Sequence, residues 1–133
     1  MKFKDYVKES NIDRQTQNDF QDYADEIAEK LSKAVKINWD DEGEVKKLQW
    51  TLDSCFLAMK LSDQPTNPNY TRYKQFLPDK FEMKYFSTEG GGDLNKVPWF
   101  SMTDAQHYTI FRRAVMDLAK KNGITLKNSA LIH

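Results

Sequence analysis

The chain has 133 residues, with 20 Lys and Arg balanced by 20 Asp and Glu, two His and one Cys. The length suits one domain over residues 1–133 and is enough to bury a core without disulfide staples. A basic nucleic-acid coat, a polyanionic tail and a disulfide scaffold are excluded by count. The zero net charge conceals a split: residues 1–66 carry ten basic and fourteen acidic groups, residues 67–133 ten basic and six acidic.

The first twenty residues are too polar for a signal peptide, and no apolar run approaches the length of a membrane span. A cytoplasmic protein is therefore expected, in host cytoplasm if the gene belongs to a phage or mobile element. The lone Cys55, beside Leu52, Phe56 and Met59, reads as a buried and inert thiol.

The spacing predicts a first helix over Gln17 to Lys36. Phe20, Tyr23, Ala24, Ile27, Ala28, Leu31, Ala34 and Val35 form one apolar stripe. Asp19, Asp22, Asp25, Glu26 and Glu29 fall mostly on the other side, with Lys30, Lys33 and Lys36 late, as the helix dipole favours. The acidic face, with Asp22, Asp25, Glu26 and Glu29, is a candidate docking surface for a partner.

A second helix is predicted from Asp40 or Asp41, because Asp41 with Glu44 reads as a capping box. Calcium binding by Asp40, Glu42 and Glu44 is rejected: the glycine is misplaced and the twelfth residue from Asp40 is Thr51. Val45, Leu48, Leu52, Cys55, Phe56 and Met59 share one face, while Trp50, Leu57 and Leu61 fall nearly opposite. A surface helix needs one apolar stripe, so the second marks either a central position or a contact with another molecule. Trp50, Leu57 and Leu61 are the leading partner-binding candidates.

Asp63 to Asn69 is rich in breakers. Tyr70–Leu77 and Lys80–Thr88 then read as two strands, joined by a type I turn at Leu77-Pro78-Asp79-Lys80. Glu89-Gly90-Gly91-Gly92-Asp93 reads as a flexible loop and Val97–Phe100 as an edge strand. A third helix follows Thr103, capped with Gln106, and stops at Asn122-Gly123. Ile124–Lys127 reads as one more strand, and the apolar end, Ser129 to His133, is expected to dock.

The expected fold is thus α+β: two N-terminal helices, a small antiparallel sheet in the middle, and a C-terminal helix packed on it. The alternative is a mostly α bundle.

Catalytic vocabulary is nearly absent. Walker, GxGxxG, GxSxG, HExxH and CxxC motifs are all missing. His107, with Asp104 three residues back, is the sole interior histidine and reads as a core-edge residue. The triple glycine has one nearby cation, Lys96, and two flanking acids, which argues against a phosphate cradle. No cofactor, metal or catalytic residue is assigned.

Ten aromatics lie between Pro68 and Arg113. The leading reading is a non-enzymatic protein-binding module that engages another protein or a second copy of itself. An inhibitor or accessory protein of phage or mobile-element type is one form of this. The alternative is single-stranded nucleic-acid binding on an aromatic and basic sheet face made by Tyr70, Arg72, Tyr73, Lys74, Lys84 and Tyr85, where bases stack and cations track phosphate.

Overall fold

A computed structural model describes residues 12–87 and 92–133. Three long helices dominate: α1 (Arg14–Ala34), α2 (Glu42–Lys60) and α5 (Asp104–Lys121). Two short ones, α3 (Pro68–Tyr73) and α4 (Pro98–Ser101), lie between them in the chain, with 3-10 turns at Lys74–Phe76, Met83–Tyr85, Leu94–Lys96 and Asn128–Ala130. No strand occurs among the described residues, so the expected sheet is overturned and the fold is bundle-like and helical.

The helix boundaries follow their caps. Asp13 accepts the Thr16 N–H at 2.8 Å and starts α1 three residues before the first apolar position of the stripe suggests. Asp41 accepts the Glu44 N–H at 3.2 Å, but Glu44 turns its own carboxylate to the Asn38 N–H at 3.1 Å rather than closing the box. Thr103 and Gln106 form the full reciprocal box at the head of α5. Gly123, at φ 75°, takes the left-handed conformation that ends α5, and the Ile124 N–H reaches back to the Ala119 carbonyl at 2.9 Å.

The helices bury the stripes that the sequence marks. Phe20, Ala24, Ile27, Ala28 and Leu31 of α1 meet Ile110, Phe111, Ala114, Val115 and Leu118 of α5, while α2 contributes Val45, Leu48, Leu52, Cys55, Phe56 and Met59. Burial raises the Cys55 thiol to about 12, so it stays protonated and unreactive.

Between α2 and α5, residues 67–103 lack any regular ladder and are held by their rings. Trp99 stacks on Phe56 with centroids 4.1 Å apart and planes 8° from parallel. Phe20 meets Trp99 edge-on at 5.1 Å and Tyr85 edge-on at 5.3 Å, and Phe86 closes the cluster against Phe20 and Phe56. The backbone of the predicted second strand is satisfied without a partner strand. The Tyr85 and Phe86 N–H groups make turn bonds to Glu82 and Met83, the Glu82 N–H reaches Tyr23 Oη, and the Asp79 N–H reaches Glu26. Val97–Phe100 is likewise no strand: Pro98 stands at the first position of α4, where its missing N–H costs nothing. Ile124–Lys127 makes no strand either. Most of the glycine-rich loop, residues 88–91, and the signal-peptide segment up to residue 11 lie outside the described residues.

Candidate protein-binding surface

On α2, the turn of 100° per residue that buries Leu48, Leu52, Phe56 and Met59 leaves Trp50 and Leu57 facing outward. They are 45% and 46% exposed. Trp50 is not loose: its ring stands edge-on to Tyr108 of α5, with centroids 5.4 Å apart. Leu61, the C-cap of α2, is half-buried and extends the same face. Lys60 places its ammonium 5.7 Å from the Phe100 ring centroid. Asp53 is half-buried, and desolvation pushes its carboxyl up, opposed by the charge of His107 and assisted by that of Asp104.

His107 is a clasp. Its Nε2 lies 2.7 Å from the Trp99 carbonyl oxygen, which only accepts, so that nitrogen carries the proton. Its ring stacks on Trp99 at 4.1 Å, which ties α4 to α5. Asp104 stays exposed in the first turn of α5.

The four acids of α1 are spent largely within the molecule. Glu26 pairs with Lys30 at 3.4 Å and accepts the Asp79 N–H at 2.9 Å. Glu29 pairs with Lys121 at 3.3 Å. Asp25 accepts from Gln21 at 3.1 Å, and burial raises its carboxyl, with Asp117 and Asp22 adding to the shift. Asp22 remains exposed. Asp25 and Glu29 line a groove with Asp117 and Lys121; Trp50, Leu57 and Leu61 do not line it.

The nucleic-acid candidates do not form a platform. Tyr70, Arg72 and Tyr73 ride on the short α3, Lys74 opens the next 3-10 turn, and Lys84 and Tyr85 belong to another. Tyr85 is 8% exposed, and its hydroxyl donates to Asp19 at 2.8 Å, so its ring cannot receive a base. Tyr70 and Tyr73 pack half-buried against the core. Arg72, Lys74 and Lys84 are exposed, but no aromatic sheet face exists beside them.

Three features escaped sequence reasoning. A cleft of about 700 Å³ lies between residues 38–43 and 124–130, with Trp39, Asp40 and Glu42 on one wall and Leu126 and Lys127 on the other. A smaller apolar groove of about 320 Å³ involves Leu31, Val35, Ile37 and Leu48. Gln49 is fully buried, although a polar residue flanking an apolar stripe reads as surface. Among the described residues, no group of three or more His, Cys, Asp or Glu side chains is placed to hold a metal. No helix among them is long and apolar enough to cross a membrane.

No protein-family model matches the chain, and comparison with curated proteins and with solved structures gives no match.

Proposed function

We propose that the protein acts by binding another protein through the outer face of α2, without chemistry of its own. The observation that supports this most is the pair Trp50 and Leu57, each nearly half exposed on one helix face, with Trp50 braced against Tyr108. A braced tryptophan loses little side-chain entropy on docking and brings a large apolar area, the properties of an interface anchor. Leu61 and Lys60 would extend the contact along the helix, and Asp53 and Asp104 would supply its polar edge.

The nucleic-acid reading rested on a sheet face that the helical fold lacks, and it is not carried forward. The acidic face of α1 is a weaker contact candidate than α2, because Glu26 and Glu29 already serve Asp79, Lys30 and Lys121.

The test replaces Leu57 with Asp and Trp50 with Ala, then follows complex formation by light scattering and by photo-crosslinking from position 57 in cells of the source. Leu57→Asp is expected to abolish the complex while changing stability by no more than about 0.5 kcal/mol, as at other exposed sites. If Leu57→Asp unfolds the chain, or if cross-links and complexes are unchanged, the reading fails.

A further inference from the structure

The C-terminal segment is bound as a peptide is bound. Ala130, Leu131 and Ile132 are 2%, 6% and 4% exposed, so the apolar content of this segment is buried. Its backbone is read by side chains. Gln49 Nε2 donates to the Ala130 carbonyl at 2.9 Å and to Val45 of its own helix at 3.0 Å, while Gln49 Oε1 accepts the Ile132 N–H at 3.0 Å. Arg112 Nη1 donates to the Ile132 carbonyl at 3.1 Å and is steadied by Thr109.

The two bonds from Gln49 to the segment have a specific pattern. A parallel strand lying beside residue 131 would bond the carbonyl of residue 130 and the N–H of residue 132. The carboxamide takes these same two partners. It therefore does the work of a neighbouring strand in a molecule without a sheet, and it holds extended backbone while the flanking burial selects apolar side chains.

The segment's one covalent tie is residues 124–127, which have no helical ladder and follow the left-handed Gly123. Every contact it makes within one chain could be made by the same segment of a second chain, with no new surface required. The choice between them is set by the effective concentration that the short tie provides.

We propose that the groove of Gln49 and Arg112 is an extended-peptide site that a second copy of the chain fills by exchange of residues 128–132. Each protomer's C-terminal segment then closes the groove of the other. The second copy is the occupant because the sequence seated there, with its backbone bonds and burial satisfied, is the chain's own. This dimer does not depend on the Trp50 surface.

A disulfide trap tests it in the full chain. The Ser129 hydroxyl donates to the Glu42 carboxylate, so cysteines at these two positions would meet when the segment is seated. Both residues are exposed, and their replacement leaves the core intact. A chain carrying both Glu42→Cys and Ser129→Cys should close on itself under mild oxidation. Failure to close would remove the seating of the segment and the proposal with it.

A tagged Glu42→Cys chain is then mixed with an untagged Ser129→Cys chain, and the disulfide-linked dimer of intermediate mass is followed on a non-reducing gel. Exchange predicts that it forms at least about ten-fold faster than the product of Glu42→Cys with Gln15→Cys, an exposed position in the first turn of α1, because docking raises the local thiol concentration. Equal rates would mean random collision and would overturn the proposal. Light scattering gives the second readout. The reduced double variant should dimerise as concentration rises, and the closed one should stay monomeric; identical behaviour of the two would also overturn it.

Discussion

The long helices and the stretch from 67 to 103 solve the same problem by different means. α1, α2 and α5 satisfy their backbones internally and use side chains only to pack, so burial follows a 3.6-residue period. The intervening stretch has few internal bonds to offer. It borrows acceptors from α1, Tyr23 Oη for the Glu82 N–H and Glu26 for the Asp79 N–H, and pins itself with Tyr85, Phe86 and Trp99. An irregular segment can thus be as well buried as a helix when its rings replace the ladder. In that stretch the rings should carry more stability than the backbone bonds.

Removing the central ring is the most forceful way to break this contrast. Trp99 is 1% exposed between Phe56 and His107, both at 4.1 Å between centroids. Trp99→Ala should cost about 3–5 kcal/mol through lost transfer energy and the cavity left behind. Trp50→Ala on the outer face of α2 should cost about 1 kcal/mol, mainly the edge-on pair with Tyr108. Urea unfolding of the two variants measures both. Equal losses would mean that the irregular stretch is not held by its rings.

A finer probe is Tyr85→Phe, which keeps the ring against Phe20 and deletes the hydroxyl that donates to Asp19. Asp19 still accepts from Gln15 at 2.9 Å, so its carboxylate is not stranded. The expected loss is about 1–2 kcal/mol, the range for a bond to a charged group. Hydrogen exchange should quicken at the Tyr85 and Phe86 amides while those of α5 are unchanged. Uniform quickening would mean that the stretch opens only with the whole molecule.

The same contrast explains what was legible in the sequence. Helix positions, the Asp41 and Thr103 caps and the Gly123 stop could be read because their signals are local. The outward placing of Trp50 and Leu57 could be read because period alone puts them opposite the core. Phe81, Met83 and Tyr85 alternate with Glu82 and Lys84 just as a strand would. An extended chain laid over a core alternates in the same way, and nothing local reveals that no partner strand follows. The acidic face of α1 looked solvated because Lys121 and the Asp79 amide lie 92 and 53 residues away from their carboxylates. Gln49 was invisible for the same reason, since its partners stand at positions 130 and 132.

Acid titration separates the two regions most finely. Asp79, in the irregular stretch, accepts from Lys30 at 2.8 Å, which holds its carboxyl below the ordinary 3.8. Its pair contributes stability above that value and loses it as pH falls through the lowered folded value. Asp25, between α1 and α5, is pushed the other way, chiefly by burial, above the same 3.8. Its ionisation opposes folding, so stability falls as pH rises from 3.8 through the raised folded value and stays lower above it. Asp79→Asn should therefore lower the urea midpoint at neutral pH, with the difference vanishing in strong acid. Asp25→Asn, which keeps an acceptor for Gln21, should raise it by an amount equivalent to about 0.5 kcal/mol at neutral pH, a small value because solvent still reaches the carboxylate. That gain should disappear below 3.8. Opposite signs at neutral pH that converge in acid would place the strain at the helix interface and the ion-pair support in the irregular stretch, whereas equal signs would refute that division.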